Sequence, residues 1–175
     1  MPRNICKGLC LMAVSSVLVA DSNSNVKLRA AMSPYNEVPA VSTTGSGEAE
    51  VRVAKDGKSL EVAVTYENIS GNPTQSHIHF AQKGVNGSIM LWLCGSATNP
   101  GPAGTPLCPA STSGSYSRTL TSAEVQAIAA QGIAANDIDA AVKALRLGRT
   151  YANLHTAKFP AGELRGQLGT GDERD

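Results

Sequence analysis

The sequence predicts a mainly β domain, an antiparallel sandwich or barrel with two short helices inserted before its late strands. Three observations predict it. Apolar and polar residues alternate in several short runs, the pattern of strands with one face buried. Turn residues rich in Gly, Pro and Asn separate these runs at short intervals. Two stretches of helical periodicity lie between Thr121 and Gly148, late in the chain.

The N-terminus reads as export machinery. Arg3 and Lys7 form a positive start, and residues 9–19 are mostly apolar but too few for a comfortable membrane span. Ala20 is a small residue before the polar Asp21, so residues 1–20 are expected to be a signal peptide. Leu18 stands two before Ala20 where a small residue is usual, which leaves the cleavage point open. The competing reading is an uncleaved N-terminal anchor. Residues 21–25 form a polar leader, 26–168 a single domain, and 169–175 a polar, flexible tail.

Residues 26–33 are expected to form a first strand, broken by Pro34 and Pro39, which cannot donate to a ladder. A hairpin follows. Val51 and Val53 alternate on one strand, Leu60, Val62 and Val64 on the next, and Asp56-Gly57 supplies the turn. Residues 76–80 form a strand with two histidines. Asn86-Gly87 then turns the chain into the apolar strand 88–94, where Trp92 reads as core. Residues 113–120 form another strand. Thr121 and Glu124 make a capping-box pattern. Val125, Ile128 and Ala129 give an apolar stripe, and Gly132 ends the first expected helix. The second starts near Asn136, carries Ile138, Val142 and Leu145 on one face, has Lys143 and Arg146 near its end, and stops at Gly148. Residues 150–156 hold the third histidine. Phe159-Pro160-Ala161-Gly162 turns the chain into a last strand, 163–168.

The charges balance, with 15 Lys plus Arg against 14 Asp plus Glu and a net charge of +1, or −1 without Arg3 and Lys7. With no basic run, a nucleic-acid partner is not indicated. No second apolar run is long enough to span a bilayer. Of the four cysteines, Cys6 and Cys10 lie in the leader, leaving Cys94 and Cys108. In an exported chain an isolated pair reads as a disulfide. The alternative, two thiolate metal ligands, has a spacing too long for a zinc knuckle.

The chain has three histidines, and their placement carries the functional reading. Side chains alternate along a strand, so His77 and His79 share one face while Ile78 and Phe80 share the other. By the same rule Tyr151, Asn153 and His155 oppose Ala152 and Leu154. Ile78, Phe80, Leu154, Val62, Val64, Leu91 and Leu93 are then expected in one core, with the imidazoles on an outer face. If the two strands are neighbours, His77, His79 and His155 converge as a candidate copper or zinc site. Glu163 shares a face with Arg165 and is a candidate fourth ligand, an acceptor that orients an imidazole, or a salt-bridge partner of Arg165 or Arg149. Glu37 is a candidate to approach the histidines or else to bond nearby backbone amides, Asn153 to donate to a bound anion or water or else to satisfy a loop's backbone, and Arg165 is a further candidate to stand behind the ligands. No paired nucleophile or carboxylate dyad stands at a recognisable spacing, so a binding role is favoured over an enzyme. The alternatives are a structural or adhesive module whose histidines knit two strands, and a copper redox enzyme. Asn68-Ile69-Ser70 and Asn86-Gly87-Ser88 match the glycosylation sequon.

Four ordered segments resemble one family. They are Asn36-Glu37-Val38-Pro39; Ser76-His77-Ile78-His79 with Gly84-Val85-Asn86-Gly87; Tyr151-Ala152-Asn153-Leu154-His155-Thr156; and Pro160-Ala161-Gly162-Glu163-Leu164-Arg165-Gly166-Gln167-Leu168. Together they resemble the CHRD domain, named after chordin and found also in exported microbial proteins. The loop carrying Cys94 and Cys108 departs from the simplest form of the pattern. The resemblance implies an exported β-sandwich of immunoglobulin-like type with no well-established general activity. The His-x-His strand is also similar to that of copper-zinc superoxide dismutases, but three histidines are too few for their binuclear site.

Overall fold

The structure, a computed structural model, describes residues 26–170. The leader expected over 1–20 and the last five residues of the tail lie outside the described residues. Eight strands form two antiparallel sheets of four. In chain order they are β1 (Val26–Met32), β2 (Ser46–Val53), β3 (Leu60–Glu67), β4 (Pro73–Phe80), β5 (Ser88–Cys94), β6 (Gly114–Leu120), β7 (Thr150–Thr156) and β8 (Leu164–Gln167). One sheet has the order β1-β2-β3-β6 and the other β5-β4-β7-β8.

The β2–β3 hairpin has the expected register, with Val51 opposite Val62 and Val53 opposite Leu60. On β3 burial alternates residue by residue along the strand. The buried faces of both sheets meet in one core. Leu28, Val51, Leu60, Val62 and Val64 come from the first sheet, and Ile78, Leu91, Leu93, Leu154 and Leu164 from the second. Of the expected core residues, Phe80 is only partly buried and packs at the margin, at the end of β4, and Trp92 is half-buried on the other face of its sheet.

On one side the two sheets are joined. Ser33 and Arg165 exchange backbone hydrogen bonds of 3.0 and 3.2 Å, and Arg29 and Gly169 exchange bonds of 2.8 and 3.1 Å. Gly169, expected in the tail, is therefore tied to β1. Gly166 permits this approach. A Cβ there would stand 2.6 Å from the Ala31 carbonyl oxygen, closer than any side chain tolerates.

The two expected helices become one. α1 (Ile138–Arg146) starts at Asp137, whose carboxylate accepts from the Ala140 amide at 2.9 Å, and it buries Ile138, Ala141, Val142, Ala144 and Leu145. The stretch from Thr121 to Gly132 forms only two single 3-10 turns, Ser122–Glu124 and Ala129–Gln131. Its end signals are real: Glu124 bonds the Thr121 amide and hydroxyl, and Gly132 adopts a left-handed φ of 79°. Between them, tertiary bonds capture the backbone. The Gln126 amide donates to Met90, the Asn136 amide to Val125, and Ile128 and Ile133 bond each other. Val125, Ile128 and Ile133 are buried one by one from an irregular strap. With β-branched residues at those positions, the intrinsic helical preference is too weak to resist.

Candidate metal centre

β4 and β7 are adjacent, with His77 opposite Asn153, His79 opposite Tyr151, and Gln75 opposite His155. The three imidazoles lie on the face turned away from Ile78 and Leu154, as alternation requires. The ring centroids are 5.3 Å apart for His77–His79, 5.0 Å for His77–His155 and 6.5 Å for His79–His155. One ring nitrogen from each residue falls within 4.8 Å of the others. Nitrogens sharing one zinc ion at about 2.1 Å stand about 3–4 Å apart, so small ring rotations close the set.

This outer face is roofed. His77, His79 and His155 are 1%, 8% and 6% exposed. Trp92, opposite His77 on β5, sets its ring edge-on at 4.2 Å. Tyr151 stacks on His79 at 4.6 Å with parallel planes. Trp92, expected in the core, is thus a half-buried wall of the site. The signal was present in the strand itself, because Leu91 and Leu93 in the core place Trp92 opposite them.

Two rings are oriented from behind. Nδ1 of His79 lies 2.9 Å from the Gly87 carbonyl, and Nδ1 of His155 lies 3.0 Å from the Pro160 carbonyl. A carbonyl only accepts, so each Nδ1 carries the proton and each Nε2 presents a lone pair. Those two Nε2 atoms, and both ring nitrogens of His77, are buried without a hydrogen-bond partner. Burial, the largest influence, holds all three imidazoles neutral. His77 is pushed down to about 2, helped by repulsion from His155 and His79. His79 is pushed down to about 4, against the support of the Gly87 carbonyl. His155 is lowered too, against the support of Pro160.

The other candidates separate. Asn153 donates to Glu37 at 2.6 Å and to the Leu164 carbonyl at 2.8 Å. Burial pushes the Glu37 carboxyl up to about 7, opposed by the Asn153 bond and by Arg165. Glu37 fits there because Gly162, at φ 133°, has no Cβ; one would stand 2.5 Å from the carboxylate. Arg165 donates to Asn86 Oδ1 at 2.7 Å and to the Val85 carbonyl at 2.6 Å, and its guanidinium lies 3.5 Å over the Tyr151 ring. Glu163 is engaged elsewhere. Its carboxylate accepts from the Ser70 amide and hydroxyl, both at 2.8 Å, and from the Thr156 hydroxyl at 2.7 Å. Glu163 therefore braces the chain behind the cluster, with each carboxylate oxygen already bonded.

Segments far apart in sequence converge on this site. Asn86 donates to the Val38 carbonyl, and Asn36 to the Arg165 carbonyl. Cys94, next along β5 from the Trp92–Leu93 pair, is bonded to Cys108, with their Cα atoms 4.9 Å apart.

Fold and site together define a two-sheet antiparallel β domain with a roofed histidine cluster. Residues 28–168 match the model of the CHRD domain, and the chain belongs to that family. No curated protein and no solved structure matches it.

Proposed function

We propose that the chain is an exported metal-binding domain whose His77, His79 and His155 hold one copper or zinc ion. A single observation carries the reading. The ring nitrogens facing into the cluster are buried with nothing to bond, and one from each of the three histidines lies within 4.8 Å of the others. A buried polar atom without a partner costs about 1–3 kcal/mol, and an ion shared by three such atoms removes that cost for all of them. Carbonyl-fixed tautomers on His79 and His155 suit the same role, since a ligating imidazole is commonly anchored through its other nitrogen.

Export to a secreted or periplasmic location is supported by the leader read over 1–20 and by the disulfide. Among the described residues no helix is long and apolar enough to cross a membrane. Family membership supports a sandwich of immunoglobulin-like type. The competing role, a structural or adhesive module with knitting histidines, leaves the unpaired nitrogens without a purpose. A redox enzyme needs a path for substrate to the metal, and the ring nitrogens here are buried.

Calorimetric titration with Cu(II), with Zn(II), and with Cu(I) under anaerobic reducing conditions tests the reading, which needs only one of these ions to bind, on the wild type, on His155→Ala, and on Lys58→Ala as a remote control. Stoichiometric binding by the wild type and control, lost in His155→Ala, is expected. Equal weak binding by all three would return the histidines to a structural role.

A further inference from the structure

Which ion the cluster takes depends on the charge it must bury. Resting on the metal-site reading above, we infer that the site is selective for monovalent copper, held by three imidazoles and discriminating against Zn(II) and Cu(II). All three donors are neutral, and no Asp, Glu or Cys among the described residues joins the group. The carboxylates nearest in the fold are committed. Glu37 accepts from Asn153, and Glu163 accepts from Ser70 and Thr156. The charge stacked against the cluster is positive: the Arg165 guanidinium lies 3.5 Å over the Tyr151 ring, which stacks on His79.

The donor nitrogens are shielded from water. Removing an ion from water into such a place costs an energy that grows as the square of its charge, so a dication costs about four times as much as a monocation. A carboxylate or thiolate ligand would offset this, and none is supplied. Zinc in closed protein sites is almost always four-coordinate. Here three protein donors converge, and a fourth would have to be water brought under the Trp92 roof. Monovalent copper accepts three neutral nitrogens and brings the smallest charge.

Competition titrations decide the matter. Purified wild type is titrated anaerobically with Cu(I) against bicinchoninate under ascorbate. Zn(II) and Cu(II) are titrated against chromophoric chelators of known affinity. The expected result is Cu(I) bound more than about tenfold tighter than Zn(II), with a bound copper couple more oxidising than the aqueous one. Arg165→Gln, which removes the charge and keeps an amide donor, should narrow the Cu(I)-to-Zn(II) ratio several-fold. If that variant does not fold, the wild-type ratio alone decides. Zn(II) binding as tight as Cu(I), or a bound couple no more oxidising than the aqueous one, overturns the selectivity and leaves the metal site standing. Binding of none of the three ions overturns both.

Discussion

Trp92 presents its ring edge to His77, with centroids 4.2 Å apart and planes at 82°. It is the single tryptophan of the chain, so intrinsic fluorescence above 295 nm excitation reports on this one contact. Copper bound at the cluster should quench that emission strongly at one equivalent, while Zn(II), without a redox or open-shell route, should change it little. His77→Ala should abolish the copper response. Quenching that persists in His77→Ala would place the copper elsewhere.

Asn153 and Glu37 are each buried, and each relies on the other. Asn153→Ala strips Glu37 of its donor and leaves the Leu164 carbonyl one partner short. The expected cost is about 1–3 kcal/mol in urea unfolding. Glu37→Gln should cost less, because the amide oxygen can still accept from Asn153.

Leu154 points the opposite way from His155 and is fully buried. Leu154→Ala should cost about 2–5 kcal/mol, measured by the same unfolding experiment. A change near zero would contradict the division of β7 into a core face and a histidine face.

Stability of the metal-free protein should fall on acidification. In the unfolded chain the histidines take up protons near their ordinary 6.5, whereas His77 and His79 are held to about 2 and about 4, and His155 is also lowered. Glu37 acts in the other direction. Its folded carboxyl, raised to about 7, keeps a proton that the unfolded chain gives up above the ordinary 4.5. Between pH 6.5 and 4.5 the unfolded chain thus comes to hold protons on three histidines while the folded protein holds one on Glu37. The unfolded state binds more, so stability is lost as pH drops through that window. The urea midpoint should be lower at pH 5 than at pH 7. A midpoint that rose on acidification would mean that Glu37 outweighs the histidines.

The disulfide closes a loop spanning 14 positions in sequence. Within that loop Gly101 packs against Trp92, where an added Cβ would stand 2.6 Å from the indole. Replacing both cysteines with serine should cost about 3 kcal/mol and broaden the Trp92 emission. Thiol titration of the unfolded, unreduced protein without residues 1–20 should find no reactive groups.

The strand pattern was legible because period-two alternation is a local property. Ile78 against His77 and His79, and Leu154 against His155, declare their faces without knowledge of the partner strand. The bonds that brace the cluster were not legible, since they join residues far apart in sequence: Asn153 to Glu37, and Arg165 to Asn86. Local signals also misled where they were strong. Thr121, Glu124 and Gly132 behave as helix ends should, yet the residues between them bond Met90, Asn136 and Ile133 instead. From the sequence Glu163 is a ligand, an acceptor that orients an imidazole, or a salt-bridge partner of Arg165 or Arg149, and only the fold reveals that Ser70 and Thr156 claim it.

The joining of β1 to β8 has a temporal meaning. Asn36 and Arg165 are 129 positions apart, and Glu37 and Asn153 are 116 apart. Closing such long loops comes late and slowly, because chain entropy is lost before the contacts repay it. A fragment that ends before Leu164 contains all three histidines yet lacks Arg165 and the bonds it makes to Ser33, Val85 and Asn86. Such a fragment should hold copper loosely, in open competition with water. On the proposed reading, tight loading should mark the moment when the last strand docks, and retention of the ion under a chelator should serve as a clock for the completion of folding.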